Sequence, residues 1–169
     1  MKLKLIFGGV LVVVSGAACG QNKIKEGTLK VNSSTYKVES MNKSMVVVND
    51  VNAQPRYTKF KSADGVHYKD PNEIFNSFSK IFSASRLREL LPERFMTVVL
   101  YYDHTGKVTS VKYYLQKDTK ISTTELDSLN RQLKLSVTFE LPAKTIDDNL
   151  MPYTNNIFFQ RLLQSSSVN

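Results

Sequence analysis

The chain has 169 residues, a formal net charge of +8, 41% hydrophobic residues, seven glycines and a single cysteine. A lone cysteine excludes an intramolecular disulfide, so the fold must hold through its core. Scarce glycine leaves no run that would cradle a phosphate. The positive charge raises the question of nucleic acid, but the lysines are scattered, as at Lys30, Lys59, Lys69 and Lys112. The export argued next also speaks against that partner, and the scattered lysines read as a solvated basic surface; weak attraction to anionic headgroups or envelope polysaccharide is the alternative.

Lys2 and Lys4 precede an apolar run from Leu5 to Val14 and then the small residues Ser15, Gly16, Ala17 and Ala18. Positive start, short apolar core and small residues make a secretory signal over 1–18. The core falls short of the ~20 apolar residues that cross a bilayer. Cys19 follows directly, and Ser15-Gly16-Ala17-Ala18-Cys19 resembles the lipobox of bacterial lipoproteins, whose cysteine is lipidated and becomes the new N-terminus. Gly16 departs from the usual Leu or Val, so ordinary cleavage near Gly20 stays open as an alternative. The expected location is a periplasm-facing lipoprotein, with the membrane reached by the lipid anchor only. A soluble periplasmic or secreted form is the alternative.

Residues 19–26 read as a tether, 27–164 as one α+β domain and 165–169 as a disordered tail. The part from 27 to 69 is rich in strand formers: Leu29 and Val31 alternate, then Tyr36 and Val38, then Met45 to Val48. Turns are expected at 32–34 and 41–43. The run Val46-Val47-Val48 suggests a strand covered on both faces. Tyr57–Phe60 and Val66–Tyr68 flank Ala63-Asp64-Gly65 as a further hairpin, with His67 an ordinary strand residue. A helix is expected from Asp70, with Asp70 as cap, Pro71 first and Glu73 closing a capping box. Ile74, Phe75, Phe78, Ile81 and Phe82 share its core face. A second short helix begins at Ser85 and stops at Pro92.

Two strands follow, in FMTVVLYY and KVTSVKYYL, and their register is ambiguous. A three-residue loop with Gly106 in a left-handed bulge sets Val99 and Tyr101 beside Val111 and Tyr113, and turn chemistry favours it. A four-residue loop sets Val98 and Leu100 there and matches the apolar faces better. The glycine bulge is the preferred reading. In either case Tyr101-Tyr102 and Tyr113-Tyr114 send one ring of each pair to the core and leave the other for a possible binding surface. Ser122 and Glu125 form a capping box for a helix over 123–135 with a Leu126, Leu129, Leu133 stripe. Strands are expected over 136–141, ended by Pro142, and over 156–163.

From 70 to 164 the order of elements resembles the C-terminal domain of TonB and its stand-alone relatives. The likeness rests on Asp103, Gly106, Lys107 and Val108 in the turn, Leu126 and Leu133 in the helix, and Phe139 and Pro142 after it. It implies an antiparallel sheet with helices on one face, a β-β-α-β core, and a sheet edge able to accept an extended partner segment. The missing proline-rich spacer and the cleavable signal argue against energy transduction. MVVVND, DPNEIF, RLREL and LYYDHTGKV also resemble small secreted or lipid-anchored proteins of gut anaerobes known only as domains of unknown function, which implies an address and a fold but no activity.

Catalysis needs convergent groups, and sequence spacing offers none: no catalytic residue, metal set or cofactor is expected. His67 and His104 stand far apart, Asp147-Asp148 reads as a solvated turn, and no Gly-x-Ser-x-Gly elbow occurs. The expectation is a non-catalytic envelope module that binds a protein or serves structurally. A periplasmic binder of a small ligand or glycan is the alternative, and a hydrolase a more distant one.

Overall fold

The computed structural model describes residues 24–51, 65–142 and 152–165. The signal segment, Cys19, the strand expected at 57–60, Asp147-Asp148 and residues 166–169 lie outside the described residues. The fold is α+β: a six-stranded antiparallel sheet with four helices packed against it. In chain order the elements are β1 (Gly27–Val31), β2 (Ser34–Ser40), β3 (Met45–Asp50), β4 (His67–Tyr68), α1 (Asn72–Ile81), α2 (Ala84–Leu90), β5 (Phe95–Tyr102), β6 (Val108–Gln116), α3 (Thr123–Ser136), β7 (Phe139–Glu140), β8 (Tyr153–Phe158) and α4 (Phe159–Ser165). The sheet runs β1-β2-β3-β6-β5-β8, and β4 and β7 form a separate two-stranded pair.

Alternation decides which face is inside. Tyr36 and Val38, Val46 and Val48, Met96, Val98 and Leu100, and Val111, Tyr113 and Leu115 are all buried on one face. Against them α3 lays Leu126, Leu129 and Leu133, each fully buried, and α1 and α2 add Ile74, Phe78, Leu87 and Leu90. Each such large side chain contributes about 1.5–3 kcal/mol of transfer free energy. Val47 is half-buried on the other face, so the Val46–Val48 run is not covered on both sides.

Local chemistry sets the helix starts. Ser122 accepts from the Glu125 amide at 3.2 Å while Glu125 reaches back to the Ser122 amide at 2.8 Å, closing the capping box. At α1 the box fails: Asp70 accepts from the Asn72 amide at 2.8 Å, but Glu73 bonds through its amide to the Asp70 carbonyl and its Oε2 is buried without a partner. Phe75 points outward, 38% exposed, because the inward stripe is Ile74, Phe78 and Phe82. The cap of α2 is Ser83, not Ser85, and accepts from the Arg86 amide. Pro92 sits inside a 3₁₀ turn, Leu91–Glu93, where its lack of a donor costs nothing.

The C-terminal part departs furthest from the sequence reading. Only Phe139–Glu140 is strand, and it pairs with β4 rather than entering the main sheet. The segment crosses the base of the β5–β6 turn instead, with the Phe139 amide on the Gly106 carbonyl at 2.8 Å and Lys107 bridged to Thr138. The expected hairpin and helix are present, but the strand expected next does not join their sheet, and the TonB-like β-β-α-β core is not confirmed. The apolar stretch at 156–163 divides: Tyr153–Phe158 pairs with β5, and Phe159–Ser165 is helix, burying Phe159 and Leu162 at helical spacing. At the other end Ile24, assigned to the tether, is 6% exposed and joins the core.

Candidate functional site

The β5–β6 turn is built by two residues. Asp103 Oδ1 accepts from the Thr105 amide at 2.9 Å and the Lys107 amide at 3.2 Å, while the Gly106 amide donates to the Asp103 carbonyl at 2.9 Å. Gly106 has φ +80°, and a Cβ there would lie 2.0 Å from the Phe139 carbonyl oxygen. Only glycine meets both conditions. The loop is thus the three-residue glycine bulge, yet Val98 stands opposite Tyr113 and Leu100 opposite Val111, the register of the rejected alternative. The two are reconciled by a second bulge: Tyr102 pairs with Val108 and Tyr101 with Ser110, leaving Thr109 extra. That residue lets Val108 and Val111, three positions apart, both face the core.

This bulge sorts the tyrosines. Tyr102 is 5% exposed and packs at 4.5 Å on Phe139, which in turn stacks on Tyr68 at 4.9 Å. Tyr113 is fully buried. Neither belongs to a surface, so the candidate patch reduces to Tyr101 and Tyr114, both half-buried on the outer face. Cross-strand pairing sets Val47, Tyr114 and Thr97 in one row, and Lys112 lies beside it with its ammonium 5.6 Å from the Tyr101 ring centre. Tyrosine and a flanking lysine on a sheet face suit contact with a protein or glycan.

His104 is exposed in the turn. His67 is exposed in β4, with Nε2 3.3 Å from Glu140. Among the described residues no three His, Cys, Asp or Glu side chains converge as a metal set. None of the described helices is long and apolar enough to cross a membrane.

A polar cluster beneath α3 escaped the sequence reading. Tyr36 Oη donates to Asp127 Oδ1 and Asn32 Nδ2 to Asp127 Oδ2, both at 2.8 Å. Asn130 Nδ2 donates to Tyr36 Oη at 3.1 Å and to Asp50 Oδ2 at 3.0 Å, and Lys134 pairs with Asp50. Burial alone would raise the Asp127 carboxyl; hydrogen bonds from Ser34, Asn32 and Tyr36, with Arg131 nearby, outweigh it and hold the group below its ordinary value. Burial pushes the Tyr36 and Tyr113 phenols up. The Tyr113 hydroxyl and Asn130 Oδ1 are buried without a partner. The signal was present in the sequence, since Asp127, Asn130 and Lys134 recur at helical spacing beside the leucine stripe. With its carboxylate held ionised and bonded on both oxygens, the cluster locks α3 onto β1–β3 rather than offering a free base.

The described grooves include two at one end of the sheet. One of about 290 Å³ is lined by Ile24, Val46, Lys117 and Thr119 among others, and one of about 470 Å³ by Lys43, Glu93, Phe95 and Gln116 among others. Glu93 uses its carboxylate to accept from Thr119 Oγ1 at 2.7 Å and the Lys120 amide at 2.6 Å.

No family model and no curated protein matches the sequence. Among solved structures, the fold is similar to that of a DUF5043 family protein from Bacteroides uniformis ATCC 8492, with a TM-score of 0.62 and 13% sequence identity over 82% of this chain and 86% of that one. At that identity the likeness is one of fold.

Proposed function

We propose that the chain is an exported, non-catalytic envelope protein, anchored through Cys19, that uses the outer face of its sheet to bind another protein. One observation carries the binding part. The helices cover one face of the sheet, while on the other Tyr101, Lys112 and Tyr114 are half-buried around the buried Asn49, Val99 and Ser110, next to Val47 and Thr97. The N-terminal layout supports export, and the likeness to the DUF5043 protein is one of fold.

Two experiments test this. Cys19→Ala is expected to abolish labelling by a fatty-acid analogue; no label on the unsubstituted protein would sink the anchor. Amine cross-linking of intact cells is expected to give a discrete protein adduct that Tyr101→Glu with Tyr114→Glu removes. An adduct unchanged by that pair would overturn the binding face, and a periodate-sensitive smear would redirect it to a glycan.

A further inference from the structure

The two ends of the sheet differ in a way that the anchor makes meaningful. Strand pairing places the start of β1, the β2–β3 turn, the end of β6, the start of β5 and the end of β8 together, since Met45 faces Gln116, Thr97 faces Tyr114 and Phe95 faces Phe158. Lys25, Lys43, Arg94, Lys117, Lys120 and Arg161 are all exposed at this end. The acidic groups nearby include Glu26, which pairs with Lys117 at 3.5 Å, Asp118, Glu89, which Arg86 engages, Glu39, which pairs with Lys37 at 2.8 Å, and Glu93, buried on Thr119 and the Lys120 amide. Exposed apolar groups gather there too. Met41 is 58% exposed at the tip of the β2–β3 turn, and Phe95 and Phe158 are 39% and 40% exposed with ring centres 5.5 Å apart. The Arg161 guanidinium lies 5.4 Å from the Phe158 ring centre.

Ile24 fixes the chain to this same end, buried in the groove with Val46 and Thr119. From Cys19 to Ile24 are five peptide steps, which reach at most about 18 Å when fully extended. A lipidated Cys19 therefore keeps this end within about 18 Å of the bilayer, without fixing which way the domain faces.

We infer that the basic, aromatic-tipped end of the sheet is a membrane-contact surface that binds anionic phospholipid headgroups and seats the domain upright on the bilayer. This rests on the reading of Cys19 as lipidated and goes beyond it, since an anchor alone would leave orientation unset. Cations meet the headgroup charge, while Met41, Phe95 and Phe158 suit the boundary where apolar rings meet headgroups. The β5–β6 turn then points away from the membrane, and the outer face stands clear of the surface.

The test uses the full-length protein extracted from membranes and reconstituted into vesicles containing phosphatidylglycerol or only phosphatidylcholine. An environment-sensitive maleimide dye is placed at Met41→Cys or at Thr105→Cys, at opposite ends, with a quencher carried on lipid headgroups. On anionic vesicles the dye at position 41 is expected to be quenched at least about twofold more than that at 105. The difference should shrink in high salt, on neutral vesicles, and in a Lys43→Glu, Lys117→Glu, Arg161→Glu variant. Equal quenching at both positions on anionic vesicles, in protein whose native thiol resists the maleimide, would overturn the proposal while leaving the anchor intact. Uptake of maleimide by the unsubstituted protein would show Cys19 free and overturn the anchor and the proposal together.

Discussion

The two faces of the sheet use the same residue types for opposite ends. On the inner face Tyr36 and Tyr113 are buried beneath α3, and polar groups are tied to one another: Asp127 to Tyr36 and Asn32, Asn130 to Tyr36 and Asp50. On the outer face Tyr101 and Tyr114 keep part of each ring in solvent. The difference teaches that a tyrosine in a strand carries no meaning until its face is known. Here one extra residue, Thr109, decides the face for four positions. Substitutions on the inner face should be read out as stability, and those on the outer face as binding.

The largest expected effect is at the centre of the inner network. Asp127→Ala leaves the Tyr36 hydroxyl and the Asn32 amide without their acceptor, and should cost about 3–5 kcal/mol, as breaking a buried charged network does. Urea unfolding should show it as a lowered midpoint at unchanged slope. Gly106→Ala comes next. It combines a left-handed backbone, about 1–2 kcal/mol, with overpacking against the Phe139 carbonyl, about 1–3 kcal/mol, and the same unfolding curves measure it.

A paired substitution sharpens the comparison within the inner face. Tyr36→Phe removes a donor to a carboxylate and should cost roughly 1.5–3 kcal/mol, whereas Tyr113→Phe removes a hydroxyl that has no partner and should be neutral or stabilising. Equal losses at both would mean that the Tyr113 hydroxyl is engaged. The acid side offers a further check. Asp127 and Glu125 have folded values below their ordinary ones: burial opposes this in both, but hydrogen bonds and the nearby guanidinium of Arg131 or Arg86 prevail. Their contribution is present above the unfolded carboxylate range and is lost as pH falls through the folded values. The unfolding midpoint should drop between neutral pH and about pH 3, less steeply in Asp127→Ala. The smallest effect belongs outside: Tyr101→Ala and Tyr114→Ala each remove a cross-strand contact worth about 0.2–1 kcal/mol.

Much of this architecture was legible in the chain. Alternation in YKV and FMTVVLYY marked β2 and β5, the β-branched run VVV marked β3, and Ser122 with Glu125 marked the start of α3 to the residue. The hairpin register was not, because turn chemistry and face matching pointed to different answers and both were satisfied by a bulge that leaves little mark on composition. The last strand was misread because FFQRLL is apolar enough for either period, and the helix is chosen by burial of Phe159 and Leu162 together. One tyrosine of each pair is core, as the alternation required, but which one depended on the register. The basic end of the sheet was invisible because its lysines and arginines come from five separate segments that only strand pairing assembles.

The division of labour between the faces is tested most directly by placing a photo-cross-linking amino acid at Tyr114, and separately at Leu135, 80% exposed on α3, in living cells. A discrete protein adduct from position 114 and none from position 135 is the expected result. Adducts from 135 alone, or from both alike, would contradict the assignment of the outer face as the binding surface.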